Sequence, residues 1–160
     1  MSKENKIKEL PYRNGVGIVV LNDKNKIFVA KRIDNPKNFW QMPQGGVDKD
    51  ENYYDAALRE LKEETSIVSV KLVKEIEKKL TYILPDDLIG IIWKGKFKGQ
   101  IQKWFIVRFI GNESEININT KNPEFLDWKW INLDDLTKIA VNFKFNVYKN
   151  LKEEILKILR

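Results

Sequence analysis

The 160-residue sequence contains no cysteine and no histidine. The first absence excludes disulfides and thiolate chemistry, so no disulfide partner is expected. The second removes triads built on imidazole and, with cysteine gone too, every His or Cys metal site. Carboxylates, hydroxyls, Lys, Arg and backbone groups are left to carry any chemistry, and a bound metal has to be hard and oxygen-ligated. No run approaches the roughly 18 apolar residues needed to cross a bilayer, and the opening MSKENKIKEL lacks a continuous apolar segment of secretory type. The expectation is a soluble, cytoplasmic protein with no membrane partner. Repeats, low-complexity tracts and flexible linkers are missing as well, which points to a single domain over residues 1–160.

What is present suits a real core, since 42 % of the chain is hydrophobic and five residues are Trp. The formal net charge of +6 favours polyanionic partners, although charge also serves solubility. Lysines are spread along the chain, so an anion site has to be built by folding.

Apolar, β-branched residues 15–21 and 27–31 flank a turn-like NDKNK and predict a hairpin. Pro43, Gly45 and Gly46 oppose regular structure, and a helix is expected over residues 52–65, capped by Asn52 with Asp55 three residues on. Residues 68–76 and 80–84 have strand character, 85–102 read mostly as loop with an apolar island at 88–93, and WFIVRFI at 104–110 is a strong strand. Residues 125–131 alternate as a half-buried strand does, with Leu126, Trp128 and Trp130 on one face. A C-terminal helix is expected over about 142–159, with Phe143, Val147, Leu151, Ile155 and Leu159 at four-residue spacing. Together these predict an α/β (α+β) fold with a mixed β-sheet sandwiched between α-helices.

Glu60, Glu63 and Glu64 stand at i, i+3 and i+4, which gathers their carboxylates on one side of the first helix, beside an apolar stripe of Tyr54, Ala57, Leu58 and Leu61. Clustered like charges cost stability unless a cation bridges them, so a divalent metal, Mg²⁺ or else Mn²⁺, explains the pattern. Three glutamates alone would equally suit a solvated acidic face. The wider arrangement decides: Gly45, five residues, Glu51, seven residues, then Arg59-Glu60-Leu61, one residue, and Glu63-Glu64. Six such fixed positions, at a background of about one in fifteen each, arise roughly once in ten million start sites.

This pattern over residues 45–67 resembles the Nudix box. Within the Nudix hydrolases the chain is similar to the bacterial RNA pyrophosphohydrolases, a group that also cleaves dinucleoside polyphosphates. The likeness is carried by Tyr12-Arg13 with GVGIVV, AKR ending at Arg32, WQMPQGG ending at Gly46, GQIQKWF from Gly99, PEFLDWKW from Pro123 and NFKFNVY from Asn142. One position departs: the family usually has Gly where this chain has Ser66. Glycine ends a helix readily through a positive φ, and Ser makes the same turn at modest strain, so activity should survive.

The resemblance implies metal ligation by Glu60, Glu63, Glu64, Glu124 and the backbone carbonyl of Gly45, with Arg59 and Glu51 supporting the site. It implies that Glu64 or Glu60, with Glu63 also in the set, orients or deprotonates the attacking water. Arg13 and Arg32 correspond to residues holding the 5′ phosphates, and Tyr82, Gln100, Phe143 and Lys144 to the RNA end. Phe143 suits either base stacking or the apolar stripe of its helix, and Trp40, Trp104, Trp128 and Trp130 read as core or wall residues. The expected substrate is 5′-triphosphorylated or diphosphorylated RNA. Dinucleoside polyphosphates are the alternative, and a non-catalytic RNA-binding module is disfavoured by the intact acid cluster.

Overall fold

The computed structural model describes residues 9–34 and 39–159, so most of the opening MSKENKIKEL lies outside the described residues. Seven strands form one mixed sheet: β1 (Tyr12–Leu21), β2 (Ile27–Arg32), β3 (Gln44–Gly46), β4 (Val70–Glu75), β5 (Leu80–Ile83), β6 (Gly99–Phe109) and β7 (Phe125–Ile131). Its path runs β4-β6-β1-β2-β7, with β3 paired to β1 and β5 to β6. Among the described residues only the central β1–β6 pair is parallel, in register from Tyr12 opposite Gly99 to Leu21 opposite Arg108. Helices α1 (Tyr53–Thr65) and α2 (Phe145–Leu159) cover the two faces.

Strand alternation builds both layers. Val19, Leu21, Val29, Trp104 and Ile106 face Val147, Tyr148, Leu151 and Ile155 of α2, while Ile18, Val20, Phe28, Phe105 and Val107 face Ala56, Ala57 and Leu61 of α1. Each fully buried Leu, Ile or Phe contributes roughly 2–3 kcal/mol, which pins α1 by one stripe and leaves its acidic side to face elsewhere. The expected cap holds: Asn52 accepts from the Asp55 N–H at 2.9 Å. At the other end Ser66 has φ of 67° and its N–H returns to the Lys62 carbonyl.

Three expectations are corrected. Residues 99–102 are strand rather than loop, because the buried amides of Gln100 and Gln102 bond each other, Gln44, Tyr82 and Trp104 instead of water. Gly45 and Gly46 do enter a strand, β3, whose partners in β1 are Val16 and Gly15. Residues 142–144 form a 3₁₀ turn and the α-helix starts only at Phe145. On β7 Leu126 is 64 % exposed, so the alternation there is imperfect. Among the described residues no helix is long and apolar enough to cross a membrane.

Candidate active site

Arg59 joins the loop before α1 to the helix itself. Its guanidinium takes Glu51 with Nε to Oε2 at 2.8 Å and Nη2 to Oε1 at 2.9 Å, and reaches the Gly46 carbonyl at 2.9 Å. Its Nη1 donates to Glu60 at 2.9 Å and to Glu63 at 3.2 Å. These contacts hold the Glu51 carboxyl down at about 2, chiefly through the Arg59 hydrogen bond and then the Asp48 N–H. One arginine thereby fixes Glu60 against the glycine loop.

Glu60, Glu64, Glu124 and Gly45 line one pocket of about 810 Å³. The Glu60 carboxyl lies against Gly45 so closely that a Cβ there would collide with it. Glu64 is 3 % exposed. Burial raises its pKa well above the carboxylate range, and Glu124 and Glu60 add to this while Arg32 opposes it. Burial also raises Glu60, against the pull of Arg59. Glu124 arrives from just before β7, where its carbonyl accepts the Ile33 N–H at 3.0 Å.

The Glu64 Oε2 is buried with no hydrogen-bond donor. An orphaned acceptor that feels two other carboxylates, in a pocket also lined by Gly45, belongs to a donor set that suits a hard divalent cation. Among the described residues no three acidic side chains close into a ready-made metal cage. Glu63 does not line the pocket: its side chain is 58 % exposed and turned toward Arg59.

Arg13, Arg32, Tyr82, Phe143 and Lys144 line the same pocket as the acids. Arg32 is held by Asp34 through Nε to Oδ1 at 2.8 Å and Nη2 to Oδ2 at 2.9 Å. Lys144 is buried, and desolvation together with the Arg32 charge pushes it down to about 7, against the pull of Glu64 and Asp34. Its ammonium sits over the Tyr82 ring at 5.4 Å.

Gln100 is fully buried behind the wall, accepting from the Tyr82 hydroxyl at 2.9 Å and reaching the Gly45 carbonyl at 3.4 Å, so it supports rather than faces the pocket. Burial pushes that Tyr82 hydroxyl up to about 12. Phe143 packs against the core that α2 covers, as one reading expected, and it also lines the pocket, tilted on Tyr82 at 5.6 Å. Trp104 is core and Trp40 is wall, while Trp128 and Trp130 pack around Phe28. Asp34 and Trp93 also line the pocket and were not anticipated; the acid two residues after Arg32 and the Trp ending the apolar island were the available signals.

Comparison with known proteins agrees with this architecture. The NUDIX domain matches residues 11–151. An RNA pyrophosphohydrolase of Pelagibacter ubique (strain HTCC1062) is 63 % identical over 156 residues, covering 98 % of both chains. Another, of Orientia tsutsugamushi (strain Boryong), is 45 % identical over 145 residues, covering 91 % of this chain and 90 % of its own. Among solved structures, the E. coli dihydroneopterin triphosphate pyrophosphohydrolase superposes with a TM-score of 0.68 at 19 % identity, covering 90 % of this chain and 99 % of that one. With the box on its helix, the acids and arginines across one pocket and a family match over most of its length, the chain belongs to the Nudix hydrolases.

Proposed function

We propose that this chain hydrolyses a phosphoanhydride at the 5′ end of triphosphorylated or diphosphorylated RNA, leaving a 5′ monophosphate and so promoting RNA decay. The observation that carries the reading is one pocket lined by Glu60, Glu64, Glu124 and Gly45 together with Arg13, Arg32 and Lys144. The high identity to relatives named RNA pyrophosphohydrolase supports RNA as the substrate class. A cytoplasmic location goes with that substrate.

Glu60, Glu64, Glu124 and the Gly45 carbonyl would hold a divalent cation, Mg²⁺ or else Mn²⁺, with Glu63, expected in the same set, standing exposed beside Arg59. Such a cation supplies charge neutralisation at phosphoryl oxygens and acidifies bound water. Arg13 and Arg32 offer forked N–H groups to the phosphates, and Lys144 adds a point charge. Glu64 or Glu60 orients the attacking water and takes its proton. As the water oxygen bonds to phosphorus, the in-line anhydride P–O bond breaks and the departing phosphate keeps its electron pair.

A dinucleoside polyphosphate is the second reading, because the aromatic faces of Phe143 and Trp40 in the same pocket suit a free nucleoside as well as an RNA base. Turnover of 5′-triphosphate RNA beside diadenosine tetraphosphate separates them. The RNA reading expects the larger kcat/KM on RNA, and a preference for the dinucleotide reverses the assignment.

A further inference from the structure

The two pocket arginines have their charges met differently. Arg32 is gripped by the Asp34 carboxylate through both oxygens. Arg13, on β1, has no carboxylate partner among the described residues; its guanidinium lies over the indole of Trp93, 5.3 Å from the ring centroid. Its Nη2 also rests against Gly46, where an added Cβ would collide with it. The box backbone and the indole together confine this cation.

Trp93 is presented by an unusual piece of chain. Trp93 and Lys94 have φ of 54° and 58°, the left-handed region that residues with a Cβ avoid. The neck of the loop is pinched where Gly90 and Gly95, both at positive φ, approach so closely that a Cβ on Gly95 would stand 3.1 Å from the Gly90 Cα. Phe97 meets the indole edge-on at 6.1 Å. Strained backbone of this kind persists where its surroundings over-determine it, commonly at ligand clamps.

A carboxylate could also have fixed Arg13, but phosphate would then have to displace it. An aromatic face fixes the guanidinium plane while leaving the N–H edges free and the charge uncompensated. We propose that Trp93 is a positioning residue for substrate: its indole aims the unpaired charge of Arg13 into the pocket, ready for the polyphosphate. This rests on reading the pocket as a polyphosphate site.

The test is a double-mutant cycle of Arg13→Gln and Trp93→Leu, with Trp93→Phe as the conservative variant. KM and kcat are read on 5′-triphosphate RNA with Mg²⁺, and affinity for inorganic tripolyphosphate by calorimetry. Trp93→Leu is expected to raise KM and weaken tripolyphosphate about fivefold with kcat and melting little changed, Trp93→Phe to restore most of this, and Trp93→Leu to add nothing once Arg13 is Gln. An equal effect in both Arg13 backgrounds, or no effect at all, overturns the proposal. If the wild-type protein leaves RNA intact, the proposed function fails, while the cycle on tripolyphosphate still decides whether Trp93 works through Arg13.

Discussion

Arg59 holds Glu51 in a two-pronged grip, at 2.8 and 2.9 Å, and spends its remaining N–H groups on Glu60, Glu63 and the Gly46 carbonyl. The Glu60 carboxylate is therefore oriented by an arginine that does not itself line the pocket. Arg59→Lys keeps the charge and loses the fork, so hydrolysis should fall about 10–100-fold, as when partners that orient metal-binding groups are removed. Steady-state turnover with a melting control checks this, and unchanged turnover would show that Glu60 needs no such support.

The same grip sets a pH dependence. Glu51 has a folded pKa of about 2, below its unfolded value of about 4.3, so its stabilisation is full above the unfolded value and drains away as pH falls toward 2. In Glu51→Gln the part of the acid-induced drop in melting temperature between about pH 4.5 and 2 should shrink. Parallel melting curves for the two proteins would contradict the assignment.

Buried, high-pKa Glu64 acts in the opposite sense, since an acid raised on folding destabilises the folded state at neutral pH. Metal-free Glu64→Gln should then melt above the metal-free wild type at pH 7. Mg²⁺ should raise the melting temperature of the wild type and leave the variant nearly unmoved. Equal Mg²⁺ shifts in both would remove Glu64 from the metal site.

Ser66 tests the one irregularity in the box. It sits at φ of 67° and its hydroxyl donates to the Asn117 carbonyl at 2.8 Å. Ser66→Ala keeps the strained backbone and loses the bond, so it should cost about 1 kcal/mol. Ser66→Gly relieves the strain while losing the same bond and should come out closer to neutral. Denaturant melts rank the two, and Gly falling below Ala would refute this account.

The helix, its cap and the acid spacing were legible because they depend on local periodicity, and so were the two core layers. Adjacent helical residues point about 100° apart, which agrees with Glu64 lining the pocket while Glu63 lies more exposed beside Arg59. Residues 99–102 were misread because two glutamines look solvent-facing until tertiary amide partners are known. Glu124 and Arg32 were placed through family likeness, the Arg32–Asp34 grip was a local signal passed over, and the Arg13–Trp93 contact depends on how distant, irregular segments meet.

The central claim is metal-dependent cleavage at a phosphorylated RNA end. It is tested most directly by following 5′-monophosphate RNA, pyrophosphate and orthophosphate formed from 5′-triphosphate RNA with Mg²⁺, for the wild type and for Glu60→Gln and Glu64→Gln. The account predicts 5′-monophosphate RNA from the wild type, loss of turnover on chelation, and folded but inactive variants. Undiminished turnover in either variant, or RNA left intact by the wild type with Mg²⁺, would contradict it.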